Sequence, residues 1–200
     1  MPNDAVLLLI DMQKGFDDVS QWGVRNNPDL ERNNQQLLEL WRATGRPVIF
    51  VRHDSRSAQS PLWPGQVGNE IKDEVRPLEH EPVVGKNVNS AFIGTSLEAD
   101  LRARGLNTLV ITGIRTDHCV STAARMAGNL GFETFVISDA TATFDTRGPD
   151  GILYKADEVS ALNLASLHYE FATVIDTATA LRMASAQHQI SSAAAAAGKR

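Results

Sequence analysis

A lone cysteine, Cys119, stands in the chain, so no disulfide can form within it and nothing points to an oxidising compartment. Aromatic residues are sparse, at 6% of 200 residues. Basic runs are missing as well. With 19 Lys and Arg against 24 Asp and Glu the formal charge is −5, which argues against an electrostatic nucleic-acid binder, since such proteins carry a basic face. The apolar run from Ala5 to Ile10 is far too short to span a bilayer. Neither the basic stretch nor the small-residue cleavage site of a secretory signal flanks it. No Gly-x-Gly-x-x-Gly follows any strand-like run, which sets a dinucleotide-binding reading aside. What remains is a globular chain, 42% hydrophobic and 22% charged, of a length that suits one domain. A cytoplasmic setting is expected, with a small molecule rather than nucleic acid or membrane as partner.

Short apolar runs alternate with amphipathic helical segments. Ala5–Ile10 is uninterrupted, as a strand buried on both faces would be. Asn27-Pro28 reads as an N-cap with proline at the first helical position, followed by Leu30, Leu37, Leu38 and Trp41 on one face and ended by Gly45 and Pro47. Val48–Val51 is a second strand. Thr95 and Glu98 have capping-box spacing ahead of Leu97 and Leu101. Leu109–Ile111 and Phe135–Ile137 are further strands, separated by a helix from about Cys119 to Leu130. A helix over Asp157–His168, a strand over Ala172–Ile175 and a C-terminal helix complete the series. Such alternation implies parallel pairing through right-handed crossovers: a single α/β domain with three layers, α/β/α, around a mainly parallel sheet. Arg52 to Val83 breaks the rhythm and is expected to be a long loop folded over one end of the sheet.

Ligands of an open parallel sheet bind beyond the C-terminal strand ends. Asp11 directly follows the first strand, Lys86 follows Val83-Val84, and Cys119 follows the strand at Leu109 and opens a helix. A free thiol titrates near ~8.5, and a helix N-terminus or a nearby cation lowers that value, so Cys119 is expected to be an activated nucleophile. Backbone N–H groups of the same turn can receive an oxyanion. Taken alone, the cysteine reads better as a small buried filler, the aspartate as a turn cap and the lysine as a solvated surface residue.

The flanking sequences add what the residues alone do not. Leu7-Leu-Leu-Ile-Asp11-Met-Gln-Lys-Gly-Phe16, Val84-Gly-Lys86-Asn-Val-Asn-Ser-Ala-Phe92 and Val110-Ile-Thr-Gly-Ile-Arg-Thr-Asp-His-Cys119-Val-Ser-Thr-Ala123 closely resemble the isochorismatase-like cysteine hydrolases. That superfamily includes nicotinamidases, N-carbamoylsarcosine amidohydrolases and ureidoacrylate hydrolases. The resemblance runs from about Ala5 to Ile175, and residues 1–185 are expected to form the hydrolase domain, with 186–200 a helical or flexible tail. It implies that Asp11, Lys86 and Cys119 form a catalytic triad. It further implies a cis peptide between Ile114 and Arg115 that turns the Arg115 N–H, with that of Cys119, into an oxyanion hole. Asp11 would take the thiol proton, the thiolate would attack an amide-type carbonyl, and water would hydrolyse the thioester, with Lys86 holding both charges in place. The family commonly forms homodimers or homotetramers.

Departures from named members narrow the reading. Nicotinamidases of the family bind a divalent metal through Asp-x-His and a further histidine. This chain reads His53-Asp54 in reverse order, with no further histidine before His80, so no metal or other cofactor is expected. The resemblance is to a metal-free branch, and His53 is expected to contact substrate or to pack beneath the loop. Gln13, Phe16, Trp63 and Phe92 flank the triad blocks and are further substrate-binding candidates, as are His118 and Arg115, the latter for a carboxylate unless it forms an outward-facing surface ion pair. Two alternatives stand beside amide hydrolysis: vinyl-ether hydrolysis of isochorismate, for which a nucleophilic cysteine is dispensable, and a non-catalytic binding protein on the same fold.

Overall fold

A computed structural model of the chain describes residues 1–197. The first strand, β1, covers Val6–Ile10, and a short helix α1 (Val19–Trp22) precedes α2 (Leu30–Ala43). Then come β2 (Val48–His53), β3 (Val83–Lys86), α3 (Leu97–Ala103), β4 (Thr108–Ile114) and α4 (Ser121–Asn129). After β5 (Glu133–Ala142) a small antiparallel hairpin pairs β6 (Thr146–Arg147) with β7 (Leu153–Tyr154). Helix α5 (Ala156–Leu167), strand β8 (Thr173–Ile175) and helix α6 (Thr177–Ala197) close the chain. Six strands form one sheet in the order β3-β2-β1-β4-β5-β8, every pair parallel.

The uninterrupted apolar run of β1 is explained by its neighbours. Leu7 and Leu9 join Trp41, Phe50 and Val110 in a core beneath α2 and α6, whereas Val6, Leu8 and Ile10 join Ile49, Leu109 and Ile111 in a second core with residues of α3 and α4. Successive side chains of a strand point to opposite faces, so a central strand covered on both sides has no polar position. The three-layer expectation holds.

Element ends differ from the sequence reading in instructive places. Asn27 does not cap α2: its backbone is left-handed, at φ 52°, and its amide donates to the carbonyls of Asp139 and Thr141 at 2.9 and 2.8 Å. The helix starts three residues later, behind Asp29. No capping box forms at Thr95 and Glu98 either, because the Thr95 hydroxyl donates back to Ala91 O at 2.6 Å and Ser96 becomes the N-cap. The segment expected to begin a helix at Cys119 starts earlier, with a π turn over Thr116–Val120 that carries Cys119 inside it. Helix α6 passes residue 185 without interruption; residues 198–200 of the expected tail lie outside those described.

The long loop does fold over the C-terminal end of the sheet, and it is pinned there. Asn69 donates to His53 O, Asp54 Oδ1 and Leu62 O, each at 3.0 Å, while Gln13 and Ile71 form an antiparallel bridge.

Candidate active site

The C-terminal ends of β1, β2, β3 and β4 bring the three sequence-distant residues together. Asp11 leaves β1 with a left-handed backbone, at φ 49°, held by its own N–H on Val51 O and by the Gln13 N–H on its carbonyl, both at 2.8 Å. Short polar residues tolerate that region best, and strain of this kind collects at functional sites. Lys86 ends β3. Its Nζ donates to Asp11 Oδ2 at 2.7 Å, contacts His53 Nδ1 at 3.0 Å and donates to Cys119 Sγ at 3.3 Å. An ammonium has three protons and no lone pair, so these neighbours account for all three and His53 Nδ1 accepts. The imidazole proton is thereby assigned to Nε2. The Asp11 and Lys86 side chains are fully buried, at 0% exposure each. Asp11 Oδ1 has no hydrogen-bond partner among the described residues.

This setting reverses one expectation. Burial pushes the Cys119 thiol far above its ordinary value, the Asp11 carboxylate adds to the rise, and Lys86 opposes it without prevailing. Desolvation of a thiolate outweighs one cation already shared with a carboxylate. The resting residue is a neutral thiol beside an ion pair. His53 is held below its ordinary value by burial and then by Lys86, so it is neutral at pH 7.

A pocket of about 110 Å³ opens above Asp11 and Cys119. Phe16, Trp22 and Leu62 make its apolar wall; His53, Asn89, Arg115 and His118 supply polar groups. Of the substrate-binding candidates, Phe16, His53, Arg115 and His118 therefore line the pocket, and three others do not. Gln13 is buried, its amide donating to His53 O and Asn69 O at 3.0 and 2.9 Å and accepting from His53 N at 2.8 Å, so it ties strand ends to the loop. Phe92 stacks on Phe132 with centroids 6.0 Å apart in the core beside α4. Trp63 is 40% exposed and turned away, while its neighbour Leu62 takes the wall position. Trp22, Leu62 and Asn89 were missed. Asn89 follows Lys86 by three residues, the one sequence signal that could have found it. Trp22 is placed by contacts no local pattern announces: its indole donates to Gly15 O at 2.9 Å, and its ring packs against Phe16 and Phe144.

Beside the pocket, the Ile114–Arg115 peptide is cis. The Arg115 N–H makes no hydrogen bond among the described residues, while its carbonyl accepts from the N–H groups of His118 and Val120, both at 3.1 Å. The Arg115 guanidinium is committed elsewhere: it pairs with Asp117 at 2.9 and 3.3 Å and reaches Thr146 Oγ1 at 3.3 Å. Of the two roles open to Arg115, a substrate carboxylate or an outward-facing ion pair, the structure shows an ion pair, though one with only 13% and 8% of the two side chains exposed.

The residues do not fit the divalent-metal site of the nicotinamidase pattern. Asp54 is paired with Arg52 at 2.9 Å and accepts from Asn69, and His80 lines a different cavity with Arg42, Arg46 and Pro82. The one ligand-like cluster among the described residues is Asp11, His53 and Cys119, whose donor atoms lie within 4.8 Å of one another. Lys86 contacts all three and already supplies positive charge there.

Such an arrangement defines a class: a parallel α/β domain that brings a thiol, a carboxylate and an ammonium to one pocket at its strand ends. Comparison with known proteins agrees. The Isochorismatase domain matches residues 5–179. An uncharacterised isochorismatase family protein of Bacillus subtilis, YrdC, is 46% identical over 88% of this chain and 94% of its own. An isochorismatase-family structure from Chromobacterium violaceum superposes with a TM-score of 0.89, at 46% identity, covering 92% of this chain and 95% of the other. A cysteine hydrolase from Pseudomonas syringae gives 0.85 at 26% identity, covering 94% and 95%. More distant are Nicotinamidase 3 of Arabidopsis thaliana, 29% identical over 86% of this chain and 84% of its own, and a ureidoacrylate amidohydrolase of Pseudomonas savastanoi, 28% identical over 74% of each. The chain belongs to the isochorismatase family of hydrolases.

Proposed function

We propose that this protein hydrolyses the C–N bond of a small amide-type substrate through a thioester on Cys119. One observation carries the reading: a single buried ammonium, Lys86 Nζ, joins Asp11 Oδ2 and Cys119 Sγ at the floor of a small pocket. The neutral resting thiol sets the order of events. As a carbonyl enters, the thiol proton passes to Asp11, whose Oδ1 is free to accept, and Sγ forms its bond to the carbonyl carbon. Lys86 stays beside both partners, so charge moves from carboxylate to sulfur without leaving its field. The oxygen becomes an oxyanion facing the Arg115 and Cys119 N–H groups, where losing one donor typically lowers the rate ~10²–10³-fold. Protonated Asp11 returns its proton to the leaving nitrogen, the C–N bond breaks and the amine departs. Water, deprotonated by Asp11, then hydrolyses the thioester and restores the thiol.

Relatives named as a nicotinamidase and as ureidoacrylate amidohydrolases support C–N hydrolysis as the chemistry. No helix among the described residues is long and apolar enough to cross a membrane, and a lone free thiol suits the cytoplasm. We also propose a homodimer or homotetramer, to which the apolar side chains exposed on and after α5, Leu162 at 68% and Tyr169 at 89%, lend themselves.

The test is ammonia release from a panel of small primary amides, with hydroxylamine added to capture the acyl group as a hydroxamate. Cys119→Ala should lower kcat/KM by ~10³-fold or more and abolish hydroxamate formation. Amide turnover that survives this substitution would remove the covalent mechanism, whereas a wild type that turns over no amide but cleaves isochorismate, with Cys119→Ala equally active, would favour the acid-catalysed vinyl-ether alternative.

A further inference from the structure

The charges around the pocket cancel in pairs. Lys86 is matched by Asp11 at 2.7 Å, with both side chains wholly buried. Arg115, the cation on the pocket wall, is matched by Asp117 at 2.9 Å, with only 13% and 8% of the two side chains exposed. Asp117 is itself fixed from a second side by the Thr143 hydroxyl, and Arg115 lies over the Phe144 ring at 5.6 Å. Burial holds the imidazoles of His53 and His118 below their ordinary values, so neither adds positive charge at neutral pH. Arg56, which donates to Asn87 at 2.9 Å, is exposed and not part of the wall. What a ligand meets is an aromatic and aliphatic surface with neutral polar groups.

Resting on the reading of Cys119 as nucleophile, we infer that the pocket selects small uncharged amides against those bearing a carboxylate, and that Asp117 sets this preference by neutralising Arg115. An incoming carboxylate leaves its water and finds no free cation, and Arg115 can turn to it only by abandoning a buried Asp117. Uncompensated charges of this kind are strongly disfavoured in a dry site. Asp117 lies outside the pocket and touches no reacting atom; it acts through Arg115 and is a specificity-determining residue, not a catalytic one. The same charge balance weighs against isochorismate, a dicarboxylate, as substrate.

Iodoacetamide and iodoacetate test this directly, because they differ in charge and little else. Sulfur displaces iodide from the reagent's methylene carbon, gaining a carbamoylmethyl group from iodoacetamide or a carboxymethyl group from iodoacetate, and the thiol proton passes to solvent. Cys119 is the only cysteine, so intact mass reports the site. Rates at pH 9 are expressed relative to glutathione to cancel the reagents' intrinsic difference. Wild type should prefer iodoacetamide by about tenfold after that normalisation, the equivalent of one decade in binding. Asp117→Asn should bring the preference within about threefold, and Arg115→Gln, which strands the acid, should increase it. Thermal melting confirms that each variant is folded, and the wild-type ratio decides the substrate class even if Asp117→Asn is not. Equal or greater reactivity towards iodoacetate in wild type overturns the selection for neutral ligands while leaving the nucleophile in place. An unchanged ratio in folded Asp117→Asn overturns the role of that residue. If neither reagent labels Cys119 until the chain is denatured, in wild type and also in Asp11→Asn, where the carboxylate that raises the thiol is gone, the nucleophile reading falls, and this inference with it.

Discussion

Replacing Asp11 by Asn separates two quantities that usually move together, thiol reactivity and catalysis. In the wild type burial and the Asp11 carboxylate raise the Cys119 thiol, and Lys86 alone pulls the other way. Asparagine keeps the shape but removes the negative charge, leaving the Lys86 ammonium, 3.3 Å from sulfur, as the nearest charge. The thiol should then titrate lower, and each unit of that fall gives about tenfold more thiolate at pH 7. Alkylation of Asp11→Asn by iodoacetamide at pH 7 should accordingly be about tenfold faster than that of wild type, whereas amide hydrolysis falls by ~10³-fold for want of a proton acceptor and donor. Lys86→Met should slow alkylation, since it deletes the one group that lowers the thiol. If Asp11→Asn slows alkylation instead, the carboxylate activates the resting thiol and the proton-transfer order proposed above is wrong. The sequence placed Cys119 near a helix start and near Lys86, and both cues favour a thiolate. It could not display the competing influence, which is how deeply the sulfur lies and that Lys86 is already shared with a carboxylate.

Between β1 and β4 the site depends on a glycine. Gly113 has φ 116°, where L side chains strain, and a Cβ there would lie 1.9 Å from Ile10 O, the residue before Asp11. The β4–β5 register shifts between Ile111 and Gly113, so the strand is irregular where it approaches the cis peptide and the π turn. Gly113→Ala should lose about 3 kcal/mol or more in stability, from backbone strain together with a clash that only moving β1 can relieve. Chemical denaturation measures it; a loss under about 1 kcal/mol would mean the strand has room to shift. Elements of this kind mark the limit of reading the chain by pattern. Ala5–Ile10 was legible as a two-face strand because burial on both sides leaves no polar position, and the three reactive residues were legible because strand ends are marked by where apolar runs stop. The π turn was not, since Thr116–Val120 carries no composition that distinguishes it from an ordinary first turn. Nor were the roles of the aromatics: Phe92 and Trp63 flank the strand ends much as Phe16 does. Only tertiary packing sends Phe92 into the core and Trp63 to solvent, and brings Trp22 onto the wall.

At the scale of the molecule, one ion cluster fastens the aromatic wall to the body of the domain. Glu31, on α2, receives Arg25 at 2.6 and 2.5 Å and lies 3.2 Å from Lys72 of the long loop. Lys72 in turn holds Asp17, next to Phe16 of the wall, and Arg25 bridges to Phe144 beneath it. Burial works to raise the Glu31 carboxyl, yet the Arg25 hydrogen bonds, with the charges of Arg25 and Lys72, bring it down to about 2 from an ordinary 4.5. The folded value is the lower one, so the unfolded chain binds the proton more readily and this contribution to stability is complete above about 4.5. It is lost as the pH falls from there through about 2. Glu31→Gln should therefore lower stability at pH 7 by roughly 1–2 kcal/mol, a figure reduced for solvent screening of a half-buried group, and should flatten the acid limb between pH 4.5 and 2. Because the cluster braces Phe16 and Phe144 rather than Asp11 or Cys119, KM for a small amide should rise more than kcat falls. Thermal melts of both proteins across that pH range, with kinetics at pH 7, examine the two consequences separately. Parallel acid limbs would show that Glu31 is not the group whose protonation loosens the fold. A drop in kcat with KM unchanged would show that the clamp reaches the reacting groups themselves and that wall and floor of the pocket move as one body.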